Sequence, residues 1–277
     1  MCNTCGCNVT DGNKAAILAE QPENGVTTLS VLSRLTARND RQATHNRQHF
    51  DQHQVLAVNL MSSPGSGKTA LLEATIDALA GRWRIAVIEG DLATENDAER
   101  IRRRGVSAYQ ITTGTACHLD AHLIHNAVHH LDLAELDIVF IENVGNLVCP
   151  ASFDLGHHVN VTLLSVTEGD DKPAKYPVMF RAADMMLISK TDLQPHLPEF
   201  NGQRAQNYLR QLGSDAEVLA LSAKQGTGLE RWLDWLDTQR QRLQQRLAQG
   251  QTLTPHVANT NLVHAAPAPA RQPAPLL

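Results

Sequence analysis

Residues 55–80 read VLAVNLMSSPGSGKTALLEATIDALA and contain three consecutive patterns. The first seven residues form an apolar run typical of a strand buried on both faces, and the last eleven suit a helix. Between them, SSPGSGKT at residues 62–69 matches the phosphate-binding pattern G-x-x-x-x-G-K-[ST], except that Ser62 replaces the first glycine. A strand, a glycine loop and a helix in this order are what a phosphate cradle requires.

Each residue type in this loop has a physical role in holding a nucleotide phosphate. Gly65 and Gly67, on either side of Ser66, allow backbone N–H groups to turn toward the β-phosphate. Lys68 neutralises β and γ oxygens, and the Thr69 hydroxyl at the helix N-terminus is a candidate ligand for Mg²⁺. A chance Gly/Ser loop is the alternative, and the flanking strand and helix argue against it.

Five further short apolar runs follow, separated by loops or by helix-length segments. They cover residues 84–90, 136–143, 161–168, 184–190 and 217–223. Runs of this length that are apolar throughout indicate a parallel sheet wrapped by helices. The sequence therefore predicts an α/β fold of the P-loop NTPase class, with a mostly parallel central sheet flanked by helices.

Two of these runs end in carboxylates, where α/β folds place their ligands. Asp91 closes the segment EGD after the second run, and Glu142 opens IENVG at the end of the third. Either residue is a candidate to hold Mg²⁺ or to orient an attacking water beside Lys68. A carboxylate at a strand end is also a common helix cap, and this alternative stays open for each of them.

The choice of nucleotide base is read from two later segments. Ser189-Lys190-Thr191-Asp192 resembles the guanine-specifying N-K-x-D element, with Asp192 placed to accept from guanine N1 and N2. Ser222-Ala223-Lys224 resembles the companion S-A-K element. Because both occur in the expected order, the sequence favours GTP over ATP, although Ser189 replaces the usual asparagine and weakens one supporting hydrogen-bond network.

The rest of the chain divides into extensions on either side of this GTPase domain, which we predict to cover residues 55–250. Residues 1–28 are expected to be a flexible metal-binding arm, and residues 29–54 a helical lead-in that Asn39-Asp40 interrupts. Residues 251–277 are rich in Pro and Ala and are expected to be a disordered tail.

Composition excludes several function classes. Lys and Arg number 24 against 29 Asp and Glu, a net charge of −5, and no basic run offers a footprint for nucleic acid. No stretch approaches the roughly 20 apolar residues of a membrane helix. The start MCNTCGCNVTDGNK lacks the apolar core of a secretory signal, so we expect a cytoplasmic protein.

Three of the five cysteines, Cys2, Cys5 and Cys7, lie within the first seven residues. In a reducing compartment, thiols at this density bind metal or do redox chemistry more often than they cross-link. If Met1 is removed, the amine of Cys2 becomes a possible fourth ligand. A square-planar set suits Ni²⁺ and a tetrahedral set suits Zn²⁺, and the sequence leaves both open.

The other two cysteines lie inside the predicted GTPase domain. Cys117 and His118 are predicted to begin a helix, CHLDAHLIHNAVHHL, in which His118 and His122 share a face and the helix start favours a thiolate at Cys117. Cys149 follows the segment ENVGNLV. Parallel-sheet topology can bring these two loops together near the γ-phosphate, which would form a nucleotide-sensitive metal site. The alternative for Cys149 is a small buried apolar residue.

Several of the 13 histidines fall in helical segments. His45, His49 and His53 lie on one predicted helical face and are interpreted as an exposed polar face, with weak metal binding as the alternative. His125, His129 and His130 are interpreted as solvated helix positions.

Taken together, these motifs closely resemble the HypB family of hydrogenase nickel-incorporation GTPases. The resemblance covers the segments CNTCGC, NDRQATHNRQHF, SSPGSGKTALLE, EGDLATENDAERI, TGTACHLDAHLIHNA, IENVGNLVCPASFDLG and VTEGDDKPAKYPVMF. It implies a nucleotide-dependent homodimer that hydrolyses GTP slowly and delivers nickel to the large subunit of [NiFe]-hydrogenase with a HypA-type partner.

The resemblance also implies roles for individual residues. Cys2, Cys5 and Cys7 would form an N-terminal nickel site, and Cys117, His118, His122 and Cys149 a nickel or zinc site at the dimer interface. Lys175 would reach the nucleotide across the dimer, although a surface lysine is the usual explanation for such a residue.

Three other functions are consistent with parts of the sequence. A nickel GTPase that serves urease shares the phosphate loop, but the CNTCGC and TGTACHLDA segments favour hydrogenase. A passive zinc or nickel storage protein with an inactive phosphate loop predicts no GTP turnover. A P-loop kinase leaves the SKTD and SAK segments without a role.

Overall fold

The chain folds around one twisted parallel sheet. The structure is a computed structural model that describes residues 28–91, 96–114 and 116–252, with side chains from residue 36 onward. The seven described strands are β1 (Leu56–Ser62), β2 (Ile85–Asp91), β3 (Ser107–Thr112), β4 (Ile138–Glu142), β5 (Val159–Ser165), β6 (Met185–Ser189) and β7 (Glu217–Ala220). They are all parallel, in the order β3-β2-β4-β1-β5-β6-β7.

Helices cover both faces of this sheet. They are α1 (Thr28–Gln52), α2 (Lys68–Leu79), α3 (Asn96–Arg102), α4 (Ala121–Val128), α5 (Lys172–Lys175), α6 (Pro177–Arg181), α7 (Gly202–Gln211) and α8 (Leu229–Ala248). Short 3-10 turns occupy Leu133–Glu135, Pro150–Ser152 and Thr191–His196. This three-layer architecture confirms the α/β prediction.

Side chains on the two faces of β1 pack into two different parts of the hydrophobic core. Leu56, Val58 and Leu60 pack with apolar residues of α2 and α8, and Ala57 packs with residues of α1 and α4. Successive side chains of a strand point to opposite faces, so a strand covered on both faces needs the unbroken apolar run seen in the sequence. This burial fixes the register of the strand that leads into the phosphate loop.

The central place of β1 determines which loops meet at its end. Its neighbours are β4 on one side and β5 on the other. Because parallel strands end at the same edge, the loops after β1, β4 and β5 lie side by side. The phosphate loop is therefore flanked by Glu142 and by the turn after β5.

Helix α1 differs from its prediction. It continues through Asn39 and Asp40 without interruption. The Asn39 side chain donates to Asp154 O (2.8 Å) and accepts from the Ala121 N–H (2.9 Å), so it anchors the helix to the domain and does not cap a second segment. Arg47, which is buried, adds an ion pair with Asp154 at 2.8 Å. The predicted interruption is wrong because the asparagine has a tertiary partner.

Strand β3 was not predicted from the sequence. It lies at the edge of the sheet, paired only with β2, and most of its residues are partly or fully exposed. An edge strand does not need an unbroken apolar run, so SAYQIT gave no signal of the kind that identified the other six.

Two predicted segments fall beyond the described part of the chain. The arm with Cys2, Cys5 and Cys7 precedes residue 28, and almost all of the Pro/Ala-rich tail follows residue 252. Among the described residues, no helix combines the length and apolar character needed to cross a membrane.

Candidate functional site

The phosphate loop connects β1 to α2 with two glycines in the left-handed region. Gly65 has a φ of 74° and Gly67 a φ of 98°, values that favour glycine. Ser62 is the buried last residue of β1, and its hydroxyl donates to Ser63 O at 2.7 Å. Its place at the end of an extended strand explains why this position works without glycine.

A carboxylate from a neighbouring turn contacts the same loop. The hydroxyls of Ser63 and Ser66 both donate to the Glu168 carboxylate, which lies in the turn after β5. The sequence analysis did not single out Glu168, because only the pairing of β5 with β1 brings this turn to the loop.

Two buried carboxyl groups face each other beside Lys68. Glu89 on β2 and Glu142 on β4 are register partners, and protonated Glu89 donates to Glu142. The Thr69 hydroxyl donates to Glu142 Oε1 at 3.0 Å, and Lys68 Nζ lies 3.9 Å from the same oxygen. One carboxyl oxygen on each glutamate is buried without a hydrogen-bond partner.

Burial shifts the protonation of this pair. Desolvation, followed by repulsion from Glu142, raises the pKa of Glu89 to about 11. Burial also raises the pKa of Glu142, and the charge of Lys68 opposes that rise. Glu89 therefore carries a proton at neutral pH, and Glu142 carries the negative charge that Lys68 balances. Glu89 was missed because it lies within a buried apolar strand.

Replacing Glu89 with glutamine is expected to flatten the pH dependence of stability. The folded pKa of about 11 exceeds the ordinary value of 4.5, so the folded state binds more protons between these limits and unfolding becomes easier as pH rises. One such group gives a slope of up to about 1.4 kcal/mol per pH unit. Urea unfolding at pH 5 to 8, without metal or nucleotide, measures how the free energy of unfolding changes with pH. The control is Glu230→Gln, since Glu230 is exposed. Parallel curves for wild type and Glu89→Gln would contradict the assignment.

The loop and the carboxyl groups line one cavity of about 460 Å³. Asp91, at the end of β2, also lines it, and so do Arg100 and Lys190. Gly145 forms part of the wall, where a Cβ atom would meet the Pro64 Cα at 2.8 Å. Only glycine allows the backbone after β4 to approach the phosphate loop this closely.

The two base-reading segments are joined to each other and to the phosphate loop. The Ser189 hydroxyl donates to Ser66 O at 2.7 Å, and Lys190 Nζ donates to Gly65 O at 2.6 Å. The Ser222 hydroxyl donates to Asp192 Oδ1 at 2.7 Å. Serine at position 189 therefore supplies a hydrogen bond to the loop, and the weakening expected relative to asparagine stays a prediction.

Ala223 and Lys224 follow Ser222 directly, and the Lys224 side chain is exposed. These residues lie where the sheet places the second base-reading segment, after β7.

A second group of donor atoms consists of Cys117, His118 and Cys149, and Cys149 lies in the loop after β4. Cys117 Sγ is 3.1 Å from Cys149 Sγ and 3.8 Å from His118 Nδ1, and the three donor atoms lie within 4.8 Å of one another. His118 is buried and its ring stacks on Phe153 at 4.0 Å. The expectation that the two cysteine loops meet is confirmed.

One of these donors is ready to bind a cation, and another must first lose its proton. Burial lowers the pKa of His118 to about 4, so its imidazole is neutral with a lone pair available. Burial and the adjacent Cys117 sulfur raise the pKa of Cys149 to about 12. A bound metal ion would displace the thiol protons, since cysteine binds metal as a thiolate.

The predicted helix around Cys117 is wrong at its start. Helix α4 begins at Ala121, because the Asp120 side chain caps it by accepting from the Leu123 N–H at 2.9 Å. Cys117 and His118 precede the helix, so the helix start gives no support for a thiolate at Cys117. His118 and His122 are not a helical pair, and His122 lies outside the donor group. Its role as a ligand stays a prediction.

One short segment links the cavity to the cysteines. The backbone from Glu142 to Cys149 leaves the carboxyl pair and reaches the thiols within seven residues. Along it, the Asn146 N–H donates to Ser62 O (2.8 Å) and its side-chain amide donates to Cys117 O (3.3 Å). Residues 142–149, hereafter the linking segment, therefore contact both the phosphate loop and the metal-donor group.

Lys175 lies away from the cavity of its own chain. It is an exposed residue of α5, and its ammonium pairs with Asp171 at 2.5 Å. A reach to the nucleotide of a second copy stays a prediction.

Residues 56–220 match the family model for the nucleotide-binding domain of CobW/HypB/UreG. The hydrogenase maturation factor HypB of Azotobacter vinelandii is 52% identical over 212 residues, which cover 76% of this chain and 70% of that protein. The HypB of Escherichia coli (strain K12) is 51% identical over 203 residues, covering 73% and 70%.

A solved structure shows the same relationship. The crystal structure of HypB from Helicobacter pylori in complex with nickel is 40% identical, with a TM-score of 0.69. The match covers 78% of this chain and 98% of that one.

Proposed function

Since this chain belongs to the HypB hydrogenase maturation factors within the CobW/HypB/UreG family, we propose that it is a GTP-hydrolysing nickel metallochaperone for [NiFe]-hydrogenase maturation. The observation that carries the proposal is the linking segment, which contacts both the phosphate loop and Cys117. Nucleotide state at one end can thereby bias metal binding at the other. Nickel is the cargo in this proposal.

The phosphate loop supplies the electrostatic part of hydrolysis. Gly65 and Gly67 line the cavity, where their backbone N–H groups would hold the phosphate oxygens that Lys68 neutralises. Asp91 or Glu142 orients the attacking water. The proposal assigns slow turnover, because hydrolysis here times metal transfer and the sequence identifies no arginine finger.

A resident Mg²⁺ fits the donor chemistry of this cavity. Thr69, Glu142 and Asp91 are oxygen donors in the cavity wall, and the buried, unpartnered carboxylate oxygen of Glu142 suits a hard cation. When bound, Mg²⁺ supplies charge neutralisation on the nucleotide phosphates.

Guanine selection is assigned to the two joined segments. Asp192 is held by the Ser222 hydroxyl, and a carboxylate fixed in this way can accept from guanine N1 and N2 but has no equivalent partners on adenine. Ala223 and Lys224 would complete the base pocket.

Replacing Asp192 with alanine is expected to weaken GTP binding about 100-fold and leave ATP binding unchanged. The loss of two hydrogen bonds to a charged acceptor accounts for this size. Competition titrations with GTP and ATP measure it, and Asp215→Ala, in the loop before β7, is the control. An equal loss of affinity for GTP and ATP would show that Asp192 supports the fold and does not select the base.

The cysteine site is proposed to be completed by a second copy of the chain. Cys117, His118 and Cys149 supply three donors, and Val148 beside them is 54% exposed. Metal sites with three protein donors keep a position open for a further ligand. In such a homodimer, His122 is a further candidate metal donor. Lys175 is a candidate contact to the nucleotide bound by the second copy.

The remaining assignments follow from the same proposal. Cys2, Cys5 and Cys7 would bind nickel in the arm, and Zn²⁺ is the competing ion at both cysteine sites. A reducing cytoplasm would keep these thiols available. The functional partners would be a HypA-type chaperone and the hydrogenase large subunit.

The test is phosphate release from GTP and ATP by the full chain, combined with nickel transfer to the metal-free hydrogenase large subunit in the presence of a HypA-type protein. The proposal predicts guanine-selective turnover and nucleotide-dependent transfer. Absence of turnover with intact nickel binding would identify a passive storage protein. Transfer to urease proteins in place of hydrogenase would identify the urease alternative.

A further inference from the structure

Four histidines from two helices meet on the outer surface of the domain. His45 and His49 lie one turn apart on α1, His125 lies on α4, and His129 caps the C-terminus of α4. Helices α1 and α4 pack against each other, which brings the two pairs together. His45 and His129 are exposed, as the sequence interpretation expected, whereas His49 and His125 are only partly exposed. The meeting of the two pairs was not predicted, because each helix was considered alone.

The rings are close enough to share one ion. The donor nitrogens of His45, His49 and His125 lie within 4.8 Å of one another. The His125 and His129 Nε2 atoms are 3.1 Å apart, and the ring centroids of His49 and His129 are 6.0 Å apart. Each helix therefore contributes an i, i+4 pair, and both pairs converge.

The electrostatics of the cluster favour neutral imidazoles. Burial and the neighbouring histidines lower the pKa of both His49 and His125. No carboxylate is among the causes that act on either ring. Uncharged imidazole is the form that binds metal, so at neutral pH protons compete weakly for these nitrogens.

Two nitrogens in the cluster are buried without a partner. His49 Nε2 and His125 Nδ1 have no hydrogen-bond partner among the described residues. A buried polar atom without a partner destabilises the fold, whereas a cation bound by the lone pair would satisfy it. Each imidazole offers one nitrogen to a given ion, so His125 would bind through either Nδ1 or Nε2.

We propose that His45, His49, His125 and His129 form a binding site for a divalent transition-metal ion of the imidazole-preferring class, with Ni²⁺ or Zn²⁺ as the occupant. Imidazole is the preferred ligand of these ions, and hard cations such as Mg²⁺ prefer oxygen. The site bridges α1 to α4 and contains no thiol, so it is separate from both cysteine sites. It does not depend on the proposed function.

Equilibrium dialysis of the full chain against Ni²⁺, with metal analysis and thiolate-to-nickel absorption recorded together, tests this site. We expect His49→Gln/His125→Gln to bind one fewer nickel per chain and to keep the thiolate absorption. The control is His130→Gln/His196→Gln, since His130 stacks on Tyr109 and His196 lies in the turn after β6. Equal nickel stoichiometry in wild type, variant and control would overturn the proposal.

A second variant keeps the proposal testable if the first variant does not fold. His45 and His129 are both exposed, so His45→Gln/His129→Gln removes two donors without disturbing the core. If the first variant does not fold, the second variant is the test of the site. We expect it to lose nickel affinity at the thiol-free site by at least about 10-fold. Unchanged nickel affinity in this variant would contradict the proposal. Because the thiolate absorption reports the cysteine sites separately, failure of this proposal is distinguishable from failure of the nickel-delivery proposal.

A melting experiment gives an independent readout. Nickel bound between α1 and α4 stabilises the folded chain, since an ion that binds only the native state raises its melting temperature. Wild type and the His130→Gln/His196→Gln control are expected to show a larger rise with Ni²⁺ than His49→Gln/His125→Gln. An identical rise in all three would also count against the site.

Discussion

Replacing Lys68 with alanine is expected to reduce GTP turnover by about 100-fold to 1,000-fold, the loss typical of removing one fixed charge-stabilising donor from a reaction centre. Lys68 Nζ lies in the cavity wall, 3.2 Å from Ser62 Oγ and 3.9 Å from Glu142 Oε1. Without this ammonium, two sources of negative charge lose their counterion, namely the nucleotide phosphates and Glu142. Phosphate release at saturating GTP and Mg²⁺ measures the effect.

The matched control is Lys172→Ala. The Lys172 ammonium lies over the Tyr176 ring and outside the cavity wall, so turnover should stay within about twofold of wild type, as surface substitutions usually have small effects. Melting temperatures of both variants separate loss of chemistry from loss of fold. Wild-type turnover in a folded Lys68→Ala variant would remove the phosphate loop from the mechanism.

Replacing Cys117 with serine is expected to weaken nickel binding at the cysteine site by at least about 100-fold. Replacing groups that support a metal's ligands lowers metal affinity about 10-fold to 100-fold. Loss of a direct thiolate ligand should therefore lower the affinity by at least the larger of these factors. Cys117 Sγ lies 3.1 Å from Cys149 Sγ, and serine supplies no comparable soft donor. Nickel titration in a background with serine at positions 2, 5 and 7, followed by thiolate-to-nickel absorption, reports this site separately from the thiol-free histidine cluster.

The same variant tests coupling to assembly. If the site lies between two copies, Cys117→Ser should lose the nickel-dependent increase in molecular mass and retain GTP turnover. Glu230→Gln is the control, because Glu230 is exposed on α8 and belongs neither to the metal-donor group nor to the cavity wall. Full nickel affinity in Cys117→Ser would show that the metal binds elsewhere in the domain.

Local sequence was sufficient where function depends on a contiguous segment. The loop from Ser62 to Thr69 needs its glycines, lysine and hydroxyl at fixed spacing, so its role could be predicted from the sequence. The meeting of Cys117 with Cys149 was predictable from parallel topology, because the loops after β3 and β4 both lie at the carboxyl edge of the sheet, although β2 separates the two strands.

Residues that act through pairing between strands or helices were missed. Glu89 looked like one polar residue in an apolar strand, and its significance depends on its register with Glu142. Glu168 contacts the phosphate loop only because β5 pairs with β1. The histidine cluster needed the packing of α1 on α4, which no single-helix pattern contains.

The boundary of α4 shows a different kind of error. Helical periodicity suggested a start at Cys117, but Asp120 competes as an N-cap and moves the start to Ala121. This shift frees His118 from helical geometry, so that it can turn toward the cysteines. A helix cap three residues inside a periodic pattern therefore changed the expected ligand set.

The central claim is that the linking segment couples nucleotide state to metal binding at Cys117, His118 and Cys149. The most direct test titrates nickel into the chain carrying Cys2→Ser, Cys5→Ser and Cys7→Ser, once with GDP and once with a non-hydrolysable GTP analogue. Thiolate-to-nickel absorption and molecular mass are followed together. Coupling of this kind predicts nickel dissociation constants that differ about 5-fold to 150-fold between the two nucleotides, with a shift in mass. Identical constants and an unchanged mass would contradict the account.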